Sequence, residues 1–421
     1  MKIRKNIIWC VTWIVLLLQL DILGGIIPFF GDSIAWKVEM LLVVFDSIYA
    51  ILTLSKNGTL SRYRLLNMYI VIYICCLIGI SCFTVREGVA SVDHTIMYAQ
   101  YYFSAFLVYP LLYLEQRYGT EKSFMESWLP VAALSLCFRM LNCIVYDAAG
   151  VAFFPTLIAA QVRGGHSTSI CGAIENVFLI YSFYLLLKCG KGLTKTKIKY
   201  LIYVIIGLVY SIRFVGSRIM IVSLIASMAI LWYGKQERGA KKMIAFSIGV
   251  MAIVIFMQTP FYDDLLQTIQ GASSSVNDIY DGNTMSVRLY SLASLEKNWN
   301  GKPMGFAFFG TAAFKRFFLV GSNDDLGYLG NWYTMGWYCV PMIILLITGY
   351  LYTSIRNFGK NNVELLYAML IYLLTTGISL SCFDLARIDV IPFLLFLLQT
   401  WKWDRDELEE LEYDYFLLGT L

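Results

Sequence analysis

The chain has 421 residues, is 58% hydrophobic and only 15% charged, and carries a net charge of +4. Soluble domains carry roughly 25% charged residues, so an ordinary soluble fold is excluded. Apolar runs near 20 residues recur from end to end, the length that crosses a hydrocarbon core of roughly 30 Å. The expectation is an all-α, polytopic integral membrane protein, with residues 1–421 forming a single membrane domain and no separate soluble one.

The first run, Ile7–Leu20, has the length of a signal-peptide core. No small-residue cleavage site follows it, and "DILGGIIPFF" continues the apolar stretch, so it reads as a retained span. About twelve spans follow from run length, at 7–27, 35–54, 65–85, 95–114, 125–146, 170–187, 200–213, 217–234, 243–260, 330–353, 363–383 and 388–401. The 10 cysteines fall mostly inside these runs without metal-ligand spacing, which reads as free thiols.

Charge orients the spans, because short cytoplasmic loops are enriched in Lys and Arg. Lys2, Arg4 and Lys5 precede the first span, and Lys56, Arg62 and Arg64 follow the second. Arg117 and Lys122 follow the fourth, Arg356 and Lys360 the tenth, and Lys402 and Arg405 the last. The loops "KCGKGLTKTKIK" (188–199) and "KQERGAKK" (235–242) are the most basic of all. These clusters place 21 of the 33 Lys and Arg on one side, expected to be the cytoplasm, together with both termini and the acidic tail at 402–421.

Both basic loops then lie inside, so an even number of spans separates them. "YLIYVIIGLVYSIRFVGSRIMIVSLIASMAILWY" is read as a hairpin whose tight outer turn is "RFVGSR", with Gly216 and Ser217 at the bend. Arg213 and Arg218 thereby sit at the outer mouth and not at mid-bilayer, where an arginine costs about 2.5–3.5 kcal/mol on insertion scales. Snorkelling to the interface is the bland alternative. Other cationic residues also map to the outer side or within spans: Arg139 inside the fifth span, Arg163 and His166 in the loop "FFPTLIAAQVRGGHSTS", Arg288 in the long loop, and Arg387 in "FDLARID" beside Asp384 and Asp389. His94 is outer as well.

Residues 261–329 form one long extracytoplasmic loop between spans nine and ten, too long for a mere connector. Within it "TMSVRLYSLASLEKNW" (284–299) has apolar residues on one face of a helix, with Thr284 placed to cap it, and would lie on the bilayer or roof a cavity. Aromatics, glycines and carboxylates then follow in "NGKPMGFAFFGTAAFKRFFLVGSNDDLGYLGNW", a mixture that suits sugar faces or interfacial anchoring. No nucleotide-binding or zinc-protease pattern is present, so an enzyme of this kind must use a substrate already activated in the membrane.

Three stretches carry a resemblance. "GSRIMIVSLIASMAIL" (216–231), "SVRLYSLASLEKNWNGKPMGFAFFG" (286–310) and "SNDDLGYLGNWYTMGW" (322–337) resemble segments of bacterial O-antigen, capsule and exopolysaccharide repeat-unit polymerases and the related O-antigen ligases. Ligases show a histidine near the end of the long loop; Asp324 and Asp325 stand there instead, which favours a polymerase. The resemblance implies transfer of a growing glycan from an undecaprenyl-pyrophosphate carrier onto the next lipid-linked repeat unit, on the outer face of the cytoplasmic membrane, without metal or other cofactor. Implied partners are the lipid-linked donor and acceptor, membrane lipid, a flippase and a chain-length regulator, with no nucleic acid.

Guanidinium grips phosphate through a fixed fork of donors and stays charged. Arg213, Arg218 and Arg288 are therefore the expected pyrophosphate ligands, with Arg163 and Arg387 next. Asp324 or Asp325, then His166, would take the acceptor hydroxyl's proton. A lipid-linked oligosaccharide flippase or transporter and an O-antigen ligase-type transferase are the rival readings; a flippase would show internal repeats, which are not seen here.

Overall fold

A computed structural model describes residues 2–19, 32–88, 90–118, 123–153, 158–163, 166–169, 173–189, 192–215, 217–235, 326–358, 362–378, 380–384 and 387–400. The ninth expected span, the tail at 402–421 and the long loop up to residue 325 lie outside them. The helices are α1 (Lys2–Gln19), α2 (Asp32–Lys56), α3 (Arg64–Arg86), α4 (Val92–Ala99), α5 (Val108–Tyr118), α6 (Phe124–Ala149), α7 (Ile174–Lys188), α8 (Lys195–Val209), α9 (Arg218–Gly234), α10 (Gly327–Met335), α11 (Cys339–Arg356), α12 (Val363–Thr376) and α13 (Ile391–Thr400). Two strands, β1 (Ile158–Arg163) and β2 (His166–Ser169), form one antiparallel hairpin.

Among the described residues, five stretches are long and apolar enough to cross a membrane: Lys37–Lys56, Leu60–Arg86, Phe124–Ala149, Lys195–Val215 and Gly336–Arg356. Shorter apolar helices occupy Ile7–Leu18, Ile219–Gly234, Val363–Thr376 and Ile388–Thr400. This is the composition of a helical membrane protein.

The fourth apolar run is not one helix. A 3-10 stretch, Gln100–Leu107, separates α4 from α5. Pro110 has no N–H to give the carbonyl four residues back, which is that of Phe106. Ser47 on α2 donates to that carbonyl at 3.0 Å, so the break meets its hydrogen bond from a neighbouring helix. The tenth run is broken as well, at Gly336, whose φ of 58° is open to glycine and ends α10 before α11 begins.

Association of helices in lipid rests on close packing and interhelical hydrogen bonds more than on hydrophobic transfer. Trp128 of α6 packs against Phe393 (ring centroids 4.9 Å apart) and Phe178 (6.3 Å). Tyrosine hydroxyls reach carbonyls on other segments: Tyr73 to Tyr102 at 3.1 Å, Tyr102 to Phe383 at 3.1 Å, and Tyr350 to Leu394 at 2.6 Å.

Helices α7 and α9 run parallel, with α12 antiparallel to both. At one end Asn176 donates towards Met220 Sδ and the Tyr372 hydroxyl, at 3.1 and 3.4 Å. At the other end Tyr184 bonds Asn362, and Lys235 lies 3.7 Å from Glu364. The first end also holds the β-hairpin, the start of α7, the end of α8 and the start of α9, and is the hairpin end of the molecule. The opposite end holds the lysine-rich 188–199 segment.

Two expectations are corrected by these elements. Residues 158–163 and 166–169, read as part of a loop, form two paired antiparallel strands, in which Arg163 pairs with His166 and Ile158 with Ser169. The sixth helix of the expected set therefore starts later, at Ile174. The sharp bend read into "RFVGSR" also begins differently: Tyr210–Val215 is a π-helical turn that continues α8, so Arg213 is still part of the rod.

Candidate functional site

The hairpin end is built on α6. Arg139, Cys143 and Asp147 recur every four residues and so share one face of that helix. Gly150, in the left-handed region at φ 69°, ends the helix with its N–H on the Tyr146 carbonyl at 2.8 Å. The hairpin lies against this face through Ser167. Its N–H and hydroxyl both donate to Asp147 Oδ1, at 2.8 and 2.6 Å, and the hydroxyl also meets the Cys143 carbonyl at 3.2 Å.

Below this contact is a buried ion pair. Arg139 donates to Glu175 Oε1 at 2.8 Å, with the two side chains only 7% and 8% exposed. Arg139 also donates to the Tyr210 hydroxyl at 3.3 Å, and that hydroxyl donates to Ser169 Oγ at 3.0 Å. One network thus joins α6, the first turn of α7, the π-turn and β2. A buried arginine without a carboxylate would be costly, and the pairing explains how Arg139 is tolerated inside an apolar helix.

At the surface above it, Arg213 is exposed on the π-turn, its guanidinium 5.6 Å from the Phe214 ring centroid. Its charge acts on the Asp147 carboxylate. His166 Nδ1 lies 3.5 Å from Asp147 Oδ2, and the imidazole is 53% exposed. Arg163 is paired with His166 across the hairpin. Arg218 opens α9 just past the π-turn. For these last two only backbone positions are described.

Arg387 is different. It is buried and donates to Asp384 Oδ2 at 2.9 Å, while Asn331 Nδ2 donates to Asp384 Oδ1 at 2.8 Å. This places α10 against the segment between α12 and α13. Tyr328 reinforces that contact, its N–H reaching the Gly377 carbonyl and its hydroxyl the Leu373 carbonyl, each at 2.8 Å.

Of the residues expected from sequence, Arg163, His166, Arg213 and Arg218 thus belong to segments that meet at one end. Arg288, Asp324 and Asp325 lie outside the described residues. Sequence reasoning singled out neither Asp147, Glu175 nor Tyr210. A signal existed for Glu175: it is the lone charge in its apolar run, as Arg139 is deep in the preceding one, and opposite lone charges in neighbouring spans tend to pair. Among the described residues no group of three or more His, Cys, Asp or Glu is placed to hold a metal ion. The arrangement can bind an anion at the exposed Arg213 guanidinium and can accept a proton at an imidazole beside a carboxylate. In comparisons with known proteins, no family model matches the chain. No curated protein matches it, nor does any solved structure.

Proposed function

We propose that the protein is a polysaccharide polymerase that joins undecaprenyl-pyrophosphate-linked oligosaccharide repeat units on the outer face of the cytoplasmic membrane. The hairpin end is then extracytoplasmic and the lysine-rich end cytoplasmic, as the distribution of basic residues requires. The observation that carries the reading is the junction of two segments some forty residues apart. The Tyr210–Ser169 hydrogen bond ties the turn bearing Arg213 to the strand that begins at His166.

In this mechanism Arg213, with Arg218 and Arg288, holds the pyrophosphate of the donor. Negative charge grows on that leaving group as the glycosidic bond breaks, and preorganised guanidinium groups stabilise it. Arg163, opposite His166, stands next in line. Arg387 is already committed to Asp384, which favours a supporting part for it over direct contact with phosphate. The proton of the acceptor hydroxyl goes to Asp324, Asp325 or His166.

A flippase would also need cationic residues along a polar path, and a ligase-type transferase would use the same leaving group. Arg213→Lys separates these readings. Lysine keeps the charge but loses the fork, so polymer should fall while the protein stays abundant, and lipid-linked single repeats should collect on the outer leaflet. Repeats trapped on the inner leaflet would indicate a flippase. Undiminished polymer would reduce Arg213 to an interfacial anchor.

A further inference from the structure

We propose that His166 is the proton acceptor of the glycosyl transfer and that Asp147 is its positioning residue. The two form a carboxylate–imidazole dyad across the contact between α6 and the β-hairpin. The substrate assigned to it rests on the polymerase reading above; the dyad itself rests on geometry.

Asp147 lies in the last turn of α6, where the partial negative charge of the helix C-terminus disfavours a carboxylate. It is nevertheless held in place. Ser167 gives Oδ1 two hydrogen bonds, from N–H and hydroxyl, which leaves Oδ2 for another donor. That oxygen faces His166 Nδ1 at 3.5 Å, a separation that tightens readily when a substrate orders a site. A carboxylate at Nδ1 keeps the ring proton there and the lone pair on Nε2. Half of the imidazole is exposed, and no partner is described for Nε2, so an incoming hydroxyl can reach it.

Arg213 is exposed on the turn that Tyr210 ties to the strand beginning at His166, and its charge acts on the same carboxylate. A pyrophosphate gripped by Arg213 would therefore hold its sugar close to His166. The acceptor hydroxyl oxygen forms its bond to the anomeric carbon while its proton passes to Nε2. The bond from that carbon to the pyrophosphate oxygen breaks, and the electron pair leaves with the pyrophosphate. The imidazolium is stabilised by Asp147 until it returns the proton to water.

The chain has only 2 histidines, His94 and His166, which makes the dyad directly visible. In a His94→Gln chain labelled with 15N-histidine and reconstituted in lipid, one imidazole remains for solid-state NMR. The neutral ring should carry its proton on Nδ1. Asp147→Asn should shift it towards the Nε2-protonated form, and Asp147→Glu should restore much of the original signal. Polymer formation from lipid-linked repeats should drop by about 100-fold or more in His166→Ala, and less in Asp147→Glu than in Asp147→Asn. A tautomer indifferent to Asp147→Asn would overturn the dyad whatever the reaction is. A responsive tautomer with full polymer yield from His166→Ala would overturn the catalytic role. A responsive tautomer in an unaltered chain that makes no polymer would overturn the polymerase reading, and with it the assigned proton transfer, while leaving the dyad's geometry standing.

Discussion

The Tyr210 hydroxyl donates to Ser169 Oγ at 3.0 Å, and that bond joins the π-turn to the β-hairpin. Tyr210→Phe removes this link and the bond the hydroxyl accepts from Arg139, while the Arg139–Glu175 pair remains. A buried hydrogen bond of this kind contributes about 1 kcal/mol, so the chain should still fold. Spin labels placed at residues 166 and 213 should give a narrow distance distribution in the parent and a broader one in the Tyr210→Phe variant. An unchanged distribution would show that other packing holds the two segments without the hydroxyl.

That ion pair is the harder constraint. Arg139→Ala leaves Glu175 buried without its cation, and Glu175→Ala leaves Arg139 likewise stranded. Each should destabilise by about 3–5 kcal/mol, whereas an Arg139→Met, Glu175→Leu double substitution should recover much of the loss. Thermal unfolding in detergent reads the order directly: double variant above both singles. Singles as stable as the parent would mean that water or lipid headgroups reach the pair.

The seating of α10 depends on a close approach. A methyl group at Gly377 would overlap the Tyr328 ring, which packs there while its N–H bonds the Gly377 carbonyl. Gly377→Ala should therefore lift α10 from the end of α12, and limited proteolysis should cut near residue 326 faster than in the parent. Equal cleavage rates would show that the Asn331–Asp384–Arg387 contacts hold α10 by themselves.

Orientation is tested separately. In a cysteine-free background, single cysteines in 188–199 and 235–242 should resist a membrane-impermeant thiol reagent in intact cells and react after permeabilisation. A cysteine replacing Ser217, at the start of α9, should react from outside. Labelling of 235–242 in intact cells would invert the assignment of inner and outer ends.

The described apolar helices were legible because a bilayer sets a length, and uninterrupted apolar runs of that length have few other uses. Their interruptions were harder to see. The 3-10 stretch at Gln100–Leu107 needs both Pro110 and the Ser47 hydroxyl from another helix, and only the proline is local. The hairpin had a local signal that composition obscured. "VRGGHSTS" places Gly-Gly between Arg163 and His166, a dipeptide favoured for a two-residue connection between strands. The arginines at 213 and 218 stood out because charge is rare in such runs. Asp147 did not, since a single acid at a helix end resembles any solvated residue until Ser167, twenty positions away, is seen to bind it.

Whether this chain links lipid-carried repeats by itself is tested most directly by reconstitution. Purified protein in liposomes would be given undecaprenyl-pyrophosphate-linked repeat units extracted from its host, and the lipid-linked products separated by size. The expected result is a ladder of two or more repeats, released undecaprenyl pyrophosphate in matching amount, and loss of both with Arg213→Ala. Single repeats that cross the bilayer but never lengthen would contradict the polymerase reading.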